Sequence, residues 1–216
     1  MTVLLRTRRR SSRAGGGVDR LRPRATSAAA AGAVAALIWL VAGSAAFAQT
    51  TLNGRVVDIA DGDTITVLDG RGTQHRIRIA GIDAPERGQP GGHRSKESLA
   101  ALVYEQPVRV EWQRRDRNGT LVGKVWVASP ESRCRGEPDC PPTLDAGLAQ
   151  ITIGRAWWSA DDPDEQSAED RRRYEFAEQE ARARKAGLWR DGSAVPPWQW
   201  RARRAGGGPP ADASPR

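Results

Sequence analysis

From Thr50 onward the chain runs in short stretches of alternating apolar and polar residues, separated by turn formers. Residues 52–59, 63–69 and 75–82 gather Val, Ile and Thr, with Asp61-Gly62 and Asp69-Gly70 between them. This spacing predicts three consecutive antiparallel strands joined by tight turns. Within His75-Arg76-Ile77-Arg78-Ile79 a period of two puts Arg76 and Arg78 on one face, opposite Ile77 and Ile79. Gly88-Gln89-Pro90-Gly91-Gly92 excludes regular structure and predicts a mobile loop. Leu99, Leu102 and Val103 then fall at helical spacing within residues 93–106. Val108, Val110 and Trp112 alternate as a fourth strand, and Leu121–Val127 forms a fifth after a turn near Asn118-Gly119. Thr143 is placed to cap a short helix that buries Leu144, Leu148 and Ile151 and stops at Gly154. A longer helix is expected from about Asp164 to Ala186, with Tyr174, Ala177 and Ala181 on one face and Gly187 at its end. The order predicts an α+β fold: a five-stranded OB-type Greek-key β-barrel with three α-helices packed on it.

Charge changes the picture less than its total suggests. The 216 residues carry a formal net charge of +8, but eight of the 34 basic residues and one of the 26 acids lie in residues 1–48. The remainder is nearly neutral, so a high pI is no sign of a nucleic-acid-binding surface on it. Residues 1–48 read instead as a signal peptide. Eight arginines precede an uncharged apolar stretch from Ala28 to Ala48, which closes on Ala46-Phe47-Ala48, a small-x-small cleavage pattern. The alternative is an uncleaved anchor, for the stretch is about long enough to span a bilayer. The expected location is therefore periplasmic or secreted, with inner-membrane anchoring as the second option. Residues 49–204 form the expected single domain, and the Gly- and Pro-rich residues 205–216 a disordered tail.

Two cysteines, Cys134 and Cys140, lie in a loop rich in Pro, Gly and charge. Zinc needs about four ligands, and the two histidines, His75 and His93, are far off in sequence. A local disulfide suits an exported chain better.

The candidate chemistry sits at two acidic clusters, Asp61-Gly62-Asp63-Thr64 and Asp83-Ala84-Pro85-Glu86, with Arg78 between them. Oxygen ligands of this kind suit a hard cation such as Ca2+. A carboxylate left over from coordination can take a proton from water, while an arginine holds a phosphate oxygen. Asp61 itself reads as a turn residue bonding its own backbone. These are the parts of a phosphodiesterase.

At these residues the chain resembles the staphylococcal nuclease (thermonuclease) family. The resemblance runs from about Asn53 to Trp200. It rests on Asp61-Gly62-Asp63-Thr64, on Arg78 through Glu86, on Gly187-Leu188-Trp189, and on Pro196-Pro197-Trp198-Gln199-Trp200-Arg201. It implies that Asp63 and Asp83 supply calcium carboxylates, Ala84 a backbone carbonyl ligand, Glu86 the general base and Arg78 one of two phosphate-binding arginines. It implies cleavage of DNA or RNA at the 5′ oxygen by a monomer, leaving 3′-phosphate ends. It also places aromatics near Trp157 and Trp158 to flank the nucleotide, although one of the two is expected in the core.

The family usually reads Asp-(Arg/Lys)-Tyr-Gly-Arg where this chain has Asp116-Arg117-Asn118-Gly119-Thr120, so Thr120 stands at the position of the second arginine. A hydroxyl brings neither charge nor a bidentate fork. Arg117 and Lys124 are the nearby candidates to replace it, neither with convincing reach. Two other readings stay open beside an active nuclease: a weakly active or inactive module binding nucleic acid or another anion, or an accessory protein of envelope or exopolysaccharide production. Any membrane contact depends on the leader staying uncleaved.

Overall fold

The computed structural model describes residues 50–190 and 192–206. The predicted leader and almost all of the predicted tail lie outside them. Five strands form the barrel: β1 (Thr50–Ile59), β2 (Thr64–Asp69), β3 (Gln74–Ile79), β5 (Pro107–Arg115) and β6 (Leu121–Val127). Antiparallel pairing runs β3-β2-β1-β5-β6, and a parallel pairing of β3 with β6 closes the ring. Closure leaves no long unpaired edge on these strands. The predicted alternation holds in β3 and β6. Ile77, Ile79, Leu121, Val125 and Val127 face a core shared with Val56, Ile65, Val67 and Val110, while Arg76, Arg78 and Lys124 face outward.

One strand breaks its period. Val108, Val110 and Trp112 of β5 pair with Val127, Val125 and Gly123, and simple alternation would next pair Gln113 with Val122. A β-bulge between Trp112 and Arg114 puts Arg114 opposite Val122 instead. Arg114 is thereby turned from the inward parity of Val110 to the outward face that carries Arg78, because Arg78 pairs with Val122 from the other side.

The third predicted strand also ends early. β3 stops at Ile79, and after a turn at Ala80-Gly81 the chain makes a separate two-residue strand, β4 (Ile82–Asp83), paired with β8 (Trp157–Trp158). Gly81 has φ +71°, a conformation that side chains with Cβ rarely adopt. The kink separates Arg78 from Asp83 and lets both reach the same end of the barrel.

The described residues hold four α-helices where three were expected. The first, α1 (Gly92–Val103), buries Leu99 and Val103. Asp145 rather than Thr143 caps α2 (Ala146–Thr152), its carboxylate accepting from the Leu148 N–H. Leu144 and Asp145 form a short strand, β7, beside β6. The long helix begins late: Pro163–Glu165 is a 3₁₀ turn, and Ser167 caps α3 (Ala168–Ala183). Tyr174, Ala177 and Ala181 are its buried face, as the spacing predicts. The added helix is α4 (Pro197–Ala205), with proline at its first position, where the missing N–H has no helical partner to lose. Cys134 and Cys140 form a disulfide, as expected. No helix among the described residues is long and apolar enough to cross a membrane.

Candidate active site

At the end of the barrel where β1 turns into β2 and β3 turns into β4, a cavity of about 540 Å³ is lined by Asp61, Asp63, Arg78, Asp83, Ala84 and Glu86. The two acidic clusters and the arginine between them are therefore one constellation. Three elements fix it. Asp61 bonds its own turn, its Oδ1 accepting the Asp63 N–H at 3.1 Å. The Asp63 carbonyl accepts the Ile79 N–H at 2.8 Å, which ties the acid to the last residue of β3. Oδ2 of Asp63 accepts the Ala84 N–H at 2.7 Å, and Oδ1 accepts the Thr64 hydroxyl at 2.8 Å.

Asp63 is nearly buried, and burial followed by the charge of Asp61 pushes its carboxyl well above the usual carboxylate range, against the pull of the Ala84 N–H. Burial likewise raises Asp83, opposed chiefly by Arg201. Asp83 thus has a fixed positive partner in Arg201, while the charge that acts on Asp63 is the negative one of Asp61.

Glu86 sits just before Gly88-Gln89-Pro90-Gly91-Gly92, the segment expected to be irregular and mobile. The segment is irregular, but its turns are tied down. The Glu86 N–H donates to Gln89 Oε1 at 3.0 Å, and buried Gln89 donates in turn to the Val195 carbonyl at 2.6 Å. A Cβ at Gly92 would lie 2.3 Å from the Glu86 carbonyl oxygen, so only glycine lets α1 start this close to the candidate base.

Three residues with charged contacts here escaped the reading of the sequence as site members. Arg201 of α4 grips Asp83 with both arms, Nη1 to Oδ1 at 3.0 Å and Nη2 to Oδ2 at 2.7 Å, and Nη1 also reaches Glu86 Oε1 at 2.7 Å. These contacts raise its own affinity for a proton still further, Asp83 first. Glu165, from the 3₁₀ turn, accepts hydrogen bonds from Arg78 and from Arg114. The signal for Arg201 lay in the Pro-Pro-Trp-Gln-Trp-Arg run on which the resemblance partly rests. The bulge in β5 hid Arg114 from any period-two reading.

The expected nucleotide-flanking aromatics need correction. Trp157 is 1% exposed and stacks edge-on against Trp189 and Trp198, with ring centres 5.1 and 6.5 Å away. It is core, and no base can reach its face. Trp158 is half-buried, packs against the core and donates its indole N–H to Gln166 Oε1. Neither lines the acidic cavity.

Thr120 is buried at the end of the β5–β6 turn, where its N–H, with that of Asn118, bonds Asp116 Oδ1. Lys124 is engaged elsewhere, on Asp170 at 2.6 Å and Asp145 at 3.3 Å, with Trp126 beneath it. Arg117 is exposed on the turn and does not line the cavity.

The oxygen-only donor set fits a hard cation. Including Asp161, Asp162 and Glu165, seven acids line the cavity against Arg78, Arg114 and Arg201, so it is formally −4 with all groups ionised. Among the described residues no three His, Cys, Asp or Glu side chains stand close enough to enclose a metal by themselves. A hard-cation site of this kind completes its shell with backbone carbonyls and water.

A small closed barrel with an oxygen-donor cavity beside a strand-borne arginine defines an OB-fold protein built around anion and cation chemistry at one end. The family profile for the staphylococcal nuclease homologue matches residues 76–191. Protein ParB of Escherichia coli is 39% identical over 174 residues, covering 78% of this chain and 89% of its own. A micrococcal nuclease of Shigella flexneri is 39% identical over 173 residues, 80% of this chain and 92% of its own. An uncharacterized endonuclease of Haemophilus influenzae is 32% identical over 150 residues, 68% and 71% respectively. The chain belongs to the staphylococcal nuclease family.

Proposed function

We propose that the chain is an exported, calcium-dependent nuclease whose active site is the acidic cavity at the end of the barrel. That it is a nuclease of the staphylococcal type, acting on the phosphodiester bonds of nucleic acid, follows from its family. Calcium dependence, the roles of individual residues and export are the finer reading.

The observation that carries the calcium reading is the charge of the cavity. Even with Asp63 and Asp83 neutral, five acids against three arginines leave the cavity negative, and it repels a phosphodiester unless a cation offsets it. Asp63 and Asp83, with the Ala84 carbonyl, are the groups that would hold that cation. Bound there, a hard divalent ion supplies positive charge to the phosphoryl oxygens as the attacking oxygen adds. The chain's own residues do the rest. Arg78 projects from β3 into the cavity and orients the phosphate with a planar pair of N–H donors. Glu86 is more accessible than the buried Asp63 and takes the proton from water once Arg201 releases it. Gln89 and Gly92 keep that carboxylate at the mouth.

Export is supported by residues 1–48 and by the disulfide, a bond that persists in oxidising compartments. The test of function is direct: with calcium the purified protein is expected to cleave heat-denatured DNA, and EDTA or Asp83→Asn to stop it. Nucleic-acid binding with no cleavage under any divalent cation would instead favour a binding module, the reading that Thr120 motivates.

A further inference from the structure

Pairing across the outer face of the barrel sets up a row of four residues, Thr64, Arg78, Val122 and Arg114, one from each neighbouring strand. Strands are about 4.8 Å apart, so the backbones of Arg78 and Arg114 stand roughly 10 Å from each other with Val122 between them. Two extended guanidinium side chains can close that gap onto one atom. They do so here: both donate through Nη2 to the same oxygen, Oε1 of Glu165. The other carboxylate oxygen accepts the Gly81 N–H at 3.2 Å. Arg114 also pairs with Asp162, its neighbour along the same acidic loop.

Two guanidiniums converging on one anionic oxygen is an arrangement that a phosphoryl oxygen also satisfies, with more charge and the same planar donors. This fork opens onto the cavity that holds Asp83 and Glu86. We propose that Arg114 is a second phosphate-contacting guanidinium of this site, paired with Arg78, and that Glu165 is an internal anion seated where the phosphate of a nucleic acid binds. The inference rests on the nuclease reading for its substrate.

The placement accounts for Thr120. Thr120 lies one residue before β6, and the period of two that puts Val122 on the row would carry an arginine at position 120 up beside it. The bulge brings Arg114 to that face by another route, from β5. Glu165 gives the fork a partner while no substrate is bound. Its side chain is 5% exposed whereas that of Arg114 is 44% exposed, so the arginine is reachable from solvent and the carboxylate must swing out.

The test uses opposite signs. Binding of a fluorescein-labelled single-stranded decadeoxynucleotide is followed by anisotropy in calcium, in a Glu86→Gln background so that cleavage does not intervene, and kcat/KM is measured in calcium with Glu86 intact. Arg114→Ala is expected to weaken binding about 10-fold and to lower kcat/KM on the order of 100-fold, with Arg114→Lys recovering only part. Glu165→Gln is expected to tighten binding roughly five-fold, because it weakens the competitor. Were Arg114 only a tether for residues 162–165, both changes would lose affinity together. Thr120→Arg is expected to recover activity in the Arg114→Ala background and to add little to the wild type, a coupling that independent sites do not show. Arg117→Ala is expected to leave all readings unchanged.

Wild-type behaviour of Arg114→Ala, weakened binding by Glu165→Gln, or equal effects of Thr120→Arg in both backgrounds would each overturn the proposal. A wild type that binds the oligonucleotide but cleaves nothing removes the nuclease reading instead, and the paired binding measurements still decide the fork.

Discussion

Asp63, Asp83 and Arg201 show how the site behaves one side chain at a time. Both acids are pushed toward their neutral forms by burial, and Arg201 is the nearest fixed positive charge to Asp83. On the calcium reading proposed above, Arg201 and the cation compete for the same oxygens. Arg201→Ala is expected to tighten calcium binding about five-fold in titration calorimetry, because the rival for Asp83 is gone. Asp83→Asn is expected to weaken it at least about 10-fold by the same measurement, as a carboxylate ligand is lost. Much of this level was legible in the sequence. Asp63, Asp83, Glu86 and Arg78 were picked from chemical type and order, and they surround one cavity. Arg201 was not, since nothing local announces that a residue over a hundred positions later will fold back onto Asp83. One of Trp157 and Trp158 was expected in the core, and it is Trp157, a choice that adjacency of two tryptophans does not reveal.

Among elements, the lesson lies in what interrupts a period. Regular alternation recovers β2, β3 and β6, but the bulge in β5 reverses the direction of Arg114, and a register shift leaves no mark on composition. The long predicted helix divides at Ser167 because a side-chain cap there ends one run and starts another, and the 3₁₀ turn so released carries Glu165 into the cavity. The start of α1 at Gly92 matters in a similar way. Gly92→Ala would drive a methyl into the Glu86 carbonyl, and a loss of activity larger than the loss of stability is expected when kcat and thermal midpoints are compared.

The contact between α3 and α2 offers a cleaner stability test. The Tyr174 hydroxyl donates to Asp145 at 2.8 Å from full burial, and burial, then the Asp145 charge, raises the phenol well above its ordinary value near 10. A phenol that ionises later in the fold than in the unfolded chain stabilises the fold fully below about pH 10, and that contribution is lost as pH climbs toward the folded value. Urea midpoints should therefore fall above pH 10 in the wild type and fall less in Tyr174→Phe. That variant is expected to cost about 1–2 kcal/mol at neutral pH, through the acceptor it leaves with one donor fewer.

For the whole molecule, barrel and helices are joined through the C-terminal segment. Trp200 is 7% exposed and Trp198 leans on Trp157, so α4 completes the core before it delivers Arg201. Trp200→Ala is expected to cost about 3 kcal/mol in chemical denaturation, the usual scale for emptying an aromatic site. Barrel topology was predictable because five short strands with one inserted helix admit few closed arrangements. The fourth helix was not, because nine residues with three arginines carry a weak apolar stripe whose partner, a tryptophan cluster, exists only once the rest has folded.

Asp83 and Trp157 are register partners across the β4–β8 ladder, and the indole is sealed from solvent by two further tryptophans. On the calcium reading, an ion at that carboxylate would alter the field felt by a ring that water cannot quench, an intrinsic optical gauge of occupancy that needs neither label nor substrate.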